Sequence, residues 1–166
     1  YTFVFSFNVY RRSNIAWRGF TLDNWASVCE AQGVCEAFAT SVSIGLISTV
    51  IATILGTMIA FAIGRYAFKG RSASNLLIFL PMATPEIVLG ASLLSLFLVF
   101  HISPGFWPTV LAHVVFCISF VVVTVKARIA SLDPRLEQAA MDLYANEFET
   151  FRRVTLPLVA PGIAAA

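Results

Sequence analysis

Ala37-Phe-Ala-Thr-Ser-Val-Ser-Ile-Gly-Leu-Ile-Ser-Thr-Val-Ile-Ala-Thr-Ile-Leu-Gly-Thr-Met-Ile-Ala-Phe-Ala-Ile-Gly64 contains no charged residue. It exceeds the roughly 20 apolar residues that cross about 30 Å of hydrocarbon, so it predicts a membrane-spanning helix over 37–64. Ser48, Ala52, Gly56, Ala60 and Gly64 recur at every fourth position. On a helix they form one smooth stripe where a second helix approaches closely, a packing feature and not a ligand site.

The rest of the chain agrees. Of 166 residues, 58% are hydrophobic and only 12% charged, against about 25% charged in an ordinary soluble domain. The class is an integral membrane protein. A net charge of +2 without a Lys/Arg block is too small to suggest a nucleic-acid partner, and none is expected. Further spans are expected at 73–100, interrupted by Pro81, Pro85 and Glu86, and at 109–125. Residues 1–8 read as the tail of an earlier span and 158–166 as the start of a later one. Both ends fall inside apolar runs, so a piece of a longer protein is expected.

Charge sets the orientation. Arg65, Lys69 and Arg71 follow one span, and Lys126 and Arg128 follow another. The positive-inside rule puts the loops 65–71 and 126–153 in the cytoplasm, and 9–35 and 101–108 outside. Arg11, Arg12 and Arg18 in the first outer loop run against this order. Trp17, Phe20 and Trp25 suit a membrane interface, and Thr21-Leu-Asp-Asn-Trp25 reads as the start of a short interfacial helix. Cys29 and Cys35 form a disulfide if that loop faces an oxidising compartment, or otherwise stay as thiols. Cys117 belongs to a span.

One long stretch is charged and amphipathic: residues 133–157, Asp-Pro-Arg-Leu-Glu-Gln-Ala-Ala-Met-Asp-Leu-Tyr-Ala-Asn-Glu-Phe-Glu-Thr-Phe-Arg-Arg-Val-Thr-Leu-Pro. Asp133 is suited to an N-cap and Pro134 to the first helical position. Leu136, Ala139, Ala140 and Leu143 then share a face. Tyr144-Ala-Asn146 is a break, and Asn146 caps a second short helix with Glu147 and Glu149 in its first turn. Phe148 and Phe151 share a face, and Arg152 and Arg153 close the helix. Pro157 and Pro161 mark the return to the membrane. Two short helices at an angle, over 130–155, thus form a polar elbow between spans.

This pattern resembles the EAA loop of the inner-membrane permease subunits of binding-protein-dependent ABC importers. That motif is Glu-Ala-Ala, three residues, Gly, nine residues, then Ile-x-Leu-Pro. Here Gln138-Ala139-Ala140, Tyr144 and Val154-Thr-Leu156-Pro157 stand at that spacing, with Glu137 beside Gln138. Gln138 replaces the family's Glu, and Tyr144 its Gly. A Gly at the turn permits positive φ; a Tyr there costs strain or demands another turn. Phe5-Ser-Phe-Asn8, Trp17-Arg-Gly-Phe-Thr-Leu22, Arg65-Tyr-Ala-Phe-Lys-Gly70 and Pro81-Met-Ala-Thr-Pro-Glu-Ile-Val-Leu-Gly90 resemble the PotC-type permeases of spermidine/putrescine importers. Permeases for iron, sulfate or other small solutes share much of this pattern.

The resemblance implies an all-α polytopic bundle, the type I ABC importer permease fold, with residues 1–166 as one transmembrane domain holding about three full spans plus partial first and fifth ones. It also implies a multi-pass location in a bacterial inner membrane and four partners besides lipid: two ATP-binding cassette subunits, a second homologous permease and an external solute-binding protein. No cofactor is expected. The elbow would seat in an ATPase subunit through Glu137, Gln138, Ala139, Ala140, Tyr144, Phe148, Phe151, Leu156 and Pro157. ATP hydrolysis would belong to that partner, since this sequence has no G-x-x-x-x-G-K-[ST] phosphate loop.

Glu86 is the acidic residue inside a span, at an insertion cost of about 2.5–3.5 kcal/mol, and such residues usually face a bundle interior or water. Either it lines a translocation path for a cation, with Pro85 and Pro81 kinking a gate element, or it bonds backbone donors freed at the Pro-broken turn. His113 is expected to hydrogen-bond another helix; a zinc site is not expected without Cys or carboxylate partners at metal spacing. Phe106 and Trp107 read as interface anchors. A membrane-embedded enzyme using Glu86 and His113 is the reading from another class, and it leaves the elbow without a purpose.

Overall fold

A computed structural model of the chain describes residues 2–9, 16–30 and 32–166; Arg11 and Arg12 lie outside the described residues. Among these residues the regular structure is helical, apart from one antiparallel bridge between Asn8 and Phe20. The class is all-α. The chain forms two compact units, residues 1–43 and 44–166.

In the first unit, helix α1 (Thr2–Phe5) is a single turn, and the chain leaves it through a turn at Ser6 and Phe7. Asn8 is fully buried and ties the loop together. Its amide donates to the Ala16 carbonyl at 2.9 Å and its carbonyl accepts from the Arg18 N–H at 2.7 Å. Asn24 donates to the carbonyls of Ser6 and Asn8, both at 2.9 Å. Phe7 stacks on Phe20 and on Trp25, with centroids 5.5 and 5.8 Å apart. The interfacial helix expected near Trp25 is α2 (Asp23–Ala26), also one turn. Cys29 and Cys35 are joined in a disulfide with Cα atoms 5.2 Å apart, which closes the alternative left open by their spacing. The bridge sits at the start of helix α3 (Val34–Arg65), which continues into the second unit.

The second unit is built around α6 (Phe106–Ala130). Its Val121, Val122 and Val125 form the core with Ala60 of α3 and Val159 of α9 (Leu156–Ala164). The small-residue stripe of α3 is where α6 comes closest. Ser48, Ala52 and Ala60 are buried, and a Cβ placed on Gly56 would lie 2.7 Å from Cβ of Val121. Ser48 satisfies its buried hydroxyl on the Ile44 carbonyl of its own helix, at 2.7 Å.

The α6 helix runs past the expected span. Lys126 and Arg128 lie in its last turns, not in a following loop. Their long apolar stems let the charges reach polar partners while the backbone stays helical. Lys126 donates to Asn75 Oδ1 at 2.6 Å, and Arg128 Nε donates to the Leu158 carbonyl at 3.0 Å.

The stretch expected as one interrupted span is two helices, α4 (Arg71–Ala83) and α5 (Glu86–Val99), bent by 108°. Pro85 causes the break. It forces Thr84 into an extended conformation (φ −88°, ψ 134°), which ends the helix there. Pro81 lies within α4, which continues to Ala83, so only one of the two prolines marks the corner.

Among the described residues two helices, α3 and α6, are long and apolar enough to cross a membrane, and the α4–α5 pair makes a third if it is one broken span. Only 28% and 33% of the apolar windows of α3 and α6 are buried. The bare flanks, with Leu46, Ile54, Met58 and Leu111, need hydrocarbon or further helices around them.

Candidate functional site

The polar segment between α6 and α9 folds as two short helices, α7 (Arg135–Asp142) and α8 (Glu147–Thr150). Asp133 Oδ1 accepts the Arg135 N–H at 2.9 Å, as a capping carboxylate does, and Pro134 has helical angles (φ −58°, ψ −22°). The C-terminus of α7 is a Schellman motif. The Tyr144 N–H bonds the Met141 carbonyl at 3.0 Å and the Ala145 N–H bonds the Ala140 carbonyl at 3.2 Å. That motif needs a left-handed residue at the position of Tyr144, where φ is +64°. The turn is therefore the one a Gly would make, and the Tyr bears its strain. Its side chain is 98% exposed.

Asn146 caps α8 with a complete capping box. Its Oδ1 accepts from the Glu149 N–H at 2.8 Å, and Glu149 Oε2 accepts from the Asn146 N–H at 3.4 Å. Contrary to expectation, Arg152 and Arg153 do not close this helix. Residues Phe151–Thr155 form a π-helical turn that carries α8 without a gap into α9. Pro157 follows the π turn, and its missing N–H leaves a gap in the hydrogen-bond ladder to the preceding turn. A one-residue π insertion changes which side chains share a face, and such turns recur at functional sites.

This alters the Phe148–Phe151 face. Both line one cleft of about 760 Å³ together with Met58, Arg65, Glu137 and Met141. Phe148 is exposed, whereas Phe151 turns inward and packs edge-on against Phe61 of α3, with centroids 5.2 Å apart. Leu143, Tyr144 and Phe148 are the most exposed apolar groups of the elbow, with Leu136 and Met141 partly exposed beside them. Gln138 and Ala139 are exposed and Ala140 half-buried; Leu156 and Pro157 are exposed at the start of α9.

Glu137 is not on that outer surface. Arg65, the last residue of α3, forms an ion pair with it through Nη2 and Oε1. The Thr155 hydroxyl donates to the same Oε1 at 2.6 Å, and Arg65 Nη2 also donates to Thr155 Oγ1 at 3.4 Å. The Arg65 guanidinium lies over the Phe61 ring, 5.9 Å from its centroid. Arg65, Thr155 and Phe61 were not singled out by sequence reasoning as part of the elbow. The available signal was Arg65 as the first charge after the apolar run 37–64.

Glu86 is the first residue of α5, and its exposed carboxylate has no hydrogen-bond or ion-pair partner among the described residues. The bonding of freed backbone donors expected as an alternative is therefore not seen. Glu86 and His113 line one groove of about 270 Å³ with Leu89, Leu93 and Phe116. His113 does not bond another helix as expected: Nδ1 meets the Thr109 carbonyl of its own helix at 2.8 Å. A carbonyl only accepts, so Nδ1 carries the proton. Phe106 and Trp107 form an edge-on pair at the start of α6.

An all-helical membrane domain with a capped polar elbow between apolar helices defines a class of integral membrane protein. Residues 52–166 match the family described as binding-protein-dependent transport system inner membrane component, and the chain belongs to that family. It is 38% identical over 152 residues to the spermidine/putrescine transport system permease protein PotC of Haemophilus influenzae, covering 92% of this chain and 59% of that protein. With PotC of Escherichia coli K12 the identity is 38% over 162 residues, covering 98% and 61%. With the putrescine transport system permease protein PotI of E. coli K12 it is 32% over 168 residues, covering 96% and 59%. The chain spans about three fifths of the length of these relatives.

Proposed function

We propose that this chain is part of the permease subunit of an ATP-driven importer for polyamines, and that its elbow is the seat of a separate ATPase subunit. The observation that carries this reading is the elbow itself. A polar, doubly capped pair of helices presents Leu143, Tyr144 and Phe148 to the outside between helices that need a membrane. A strained, almost fully exposed Tyr beside two exposed apolar side chains suits a protein partner more than water, because aromatic anchors dominate interface energies. ATP hydrolysis falls to that partner, and a second permease and an external binding protein complete the assembly.

Polyamines are the favoured cargo because the relatives at 32–38% identity are named for them. The uncompensated carboxylate of Glu86 fits that choice, standing at the corner where α4 and α5 diverge. A negative group at a broken span suits an organic cation, and Pro85 would hold the corner open while Pro81 stiffens the approach. The Cys29–Cys35 bridge supports placing residues 9–35 on an oxidising side, with the elbow in the cytoplasm.

The test is ATP hydrolysis by the full-length permease assembled with its ATPase, in proteoliposomes containing a binding protein loaded with spermidine or putrescine. Stimulation by either polyamine is expected. Stimulation by a neutral sugar or an anion but by neither polyamine would overturn the substrate assignment while leaving the coupling reading intact.

A further inference from the structure

We propose that Arg65 and Thr155 are positioning residues for transport: with Glu137 they form a strut that carries movement of the elbow into the span α3. The proposal rests on the coupling reading above and adds the route by which force leaves the elbow. The three groups come from three elements: the last turn of α3, the first turn of α7 and the end of the π-helical turn. They meet on a single oxygen. Glu137 Oε1 receives Arg65 Nη2 and the Thr155 hydroxyl, and Arg65 also reaches Thr155 Oγ1 at 3.4 Å. Thr155 is fully buried, so its hydroxyl has no water to fall back on. Losing the acceptor would strand it, which makes the three groups move together.

A second contact lies beside the first. Phe151, at the start of the π turn, packs on Phe61 one helical turn before Arg65, and the Arg65 guanidinium covers the same ring. Polar and apolar contacts therefore tie the elbow to one short stretch of α3. The open cleft of about 760 Å³ lies directly beside this tie, with Phe61, Arg65, Glu137 and Phe151 in its wall. With open space next to it, the tie is the link through which a displaced elbow acts on the end of α3. The wide π turn gives the chain a compliant joint between α8 and α9, so α9 need not follow rigidly.

The test uses the full-length permease in its complete complex, with spermidine as probe, and reads spermidine moved per ATP hydrolysed beside copurification of the ATPase. Arg65→Gln and Thr155→Val are expected to keep the ATPase bound and to lower the ratio at least fivefold. Thr155→Ser, which keeps the hydroxyl, restores it. A purely structural role would lower the amount of folded complex and leave the ratio per complex unchanged. Thr155 touches no outer surface, so its variants decide the matter even if Arg65→Gln fails to assemble. A wild-type ratio in Thr155→Val, or an equal loss in Thr155→Ser, overturns the strut. Phe148→Asp in the same series separates the two ideas: if it too keeps the ATPase and the ratio, the coupling reading itself has failed.

Discussion

Gly162 and Arg128 touch so closely that a side chain on the glycine has no room. A Cβ at Gly162 would lie 2.7 Å from Arg128 Cβ and 2.8 Å from its Cγ. Here α9 comes close to α6, and the Arg128–Leu158 hydrogen bond joins the same two helices. Gly162→Ala therefore has to push the helices apart, a change that typically costs about 1–3 kcal/mol. Thermal unfolding of the full-length protein in detergent should show a clear fall in midpoint. Gly45→Ala, where nothing lies within 4 Å of the added carbon, should leave it unchanged or raise it slightly.

Tyr144 gives the opposite sign. A non-glycine residue in the left-handed region costs roughly 1–2 kcal/mol. Tyr144→Gly removes that strain without deleting a packed side chain, since the Tyr is 98% exposed. The unfolding midpoint should rise. The same variant should weaken ATPase copurification, because the exposed ring is lost; a rise in both would show that the ring anchors nothing.

Asn146→Ala deletes one half of the capping box and should cost about 0.5–2 kcal/mol. Asn146→Asp keeps the acceptor and should hold the stability of the parent. Because α8 runs on through the π turn into α9, the loss should appear as faster amide exchange over residues 147–150, with little change in α6.

Glu86→Gln keeps the shape of the groove and removes its charge. Uptake of spermidine should show a raised KM or lowered rate, by roughly tenfold, the equivalent of about 1.4 kcal/mol. Unchanged uptake kinetics would remove Glu86 from the path.

What could be read in advance follows the range of the interactions. The long apolar helices α3 and α6, the Asn146 cap and the breaking role of Pro85 are local, and each shows in consecutive residues. So did the special turn at Tyr144, though only through the motif position at which a Gly was expected. The tie between Arg65 and Glu137 joins residues 72 apart, and no periodicity reports it. The π turn was hidden for a different reason: Arg152-Arg153 before a proline looks like the end of a helix, whereas the helix widens there and runs on. A proline announces a corner but not its 108° size, which depends on what the two arms pack against. The His113 ring could be expected to need a partner, and the Thr109 carbonyl one turn earlier in its own helix fills that need.

The proposed role of the elbow is to receive force from an ATPase. Its most direct measurement is ATP hydrolysis and spermidine uptake by the reconstituted complex carrying Phe148→Asp or Ala139→Asp. Both variants should insert and fold, as judged by an unchanged unfolding midpoint of the isolated permease. Both should lose most of the copurifying ATPase and more than tenfold of the uptake. Normal assembly and turnover in both would contradict the claim.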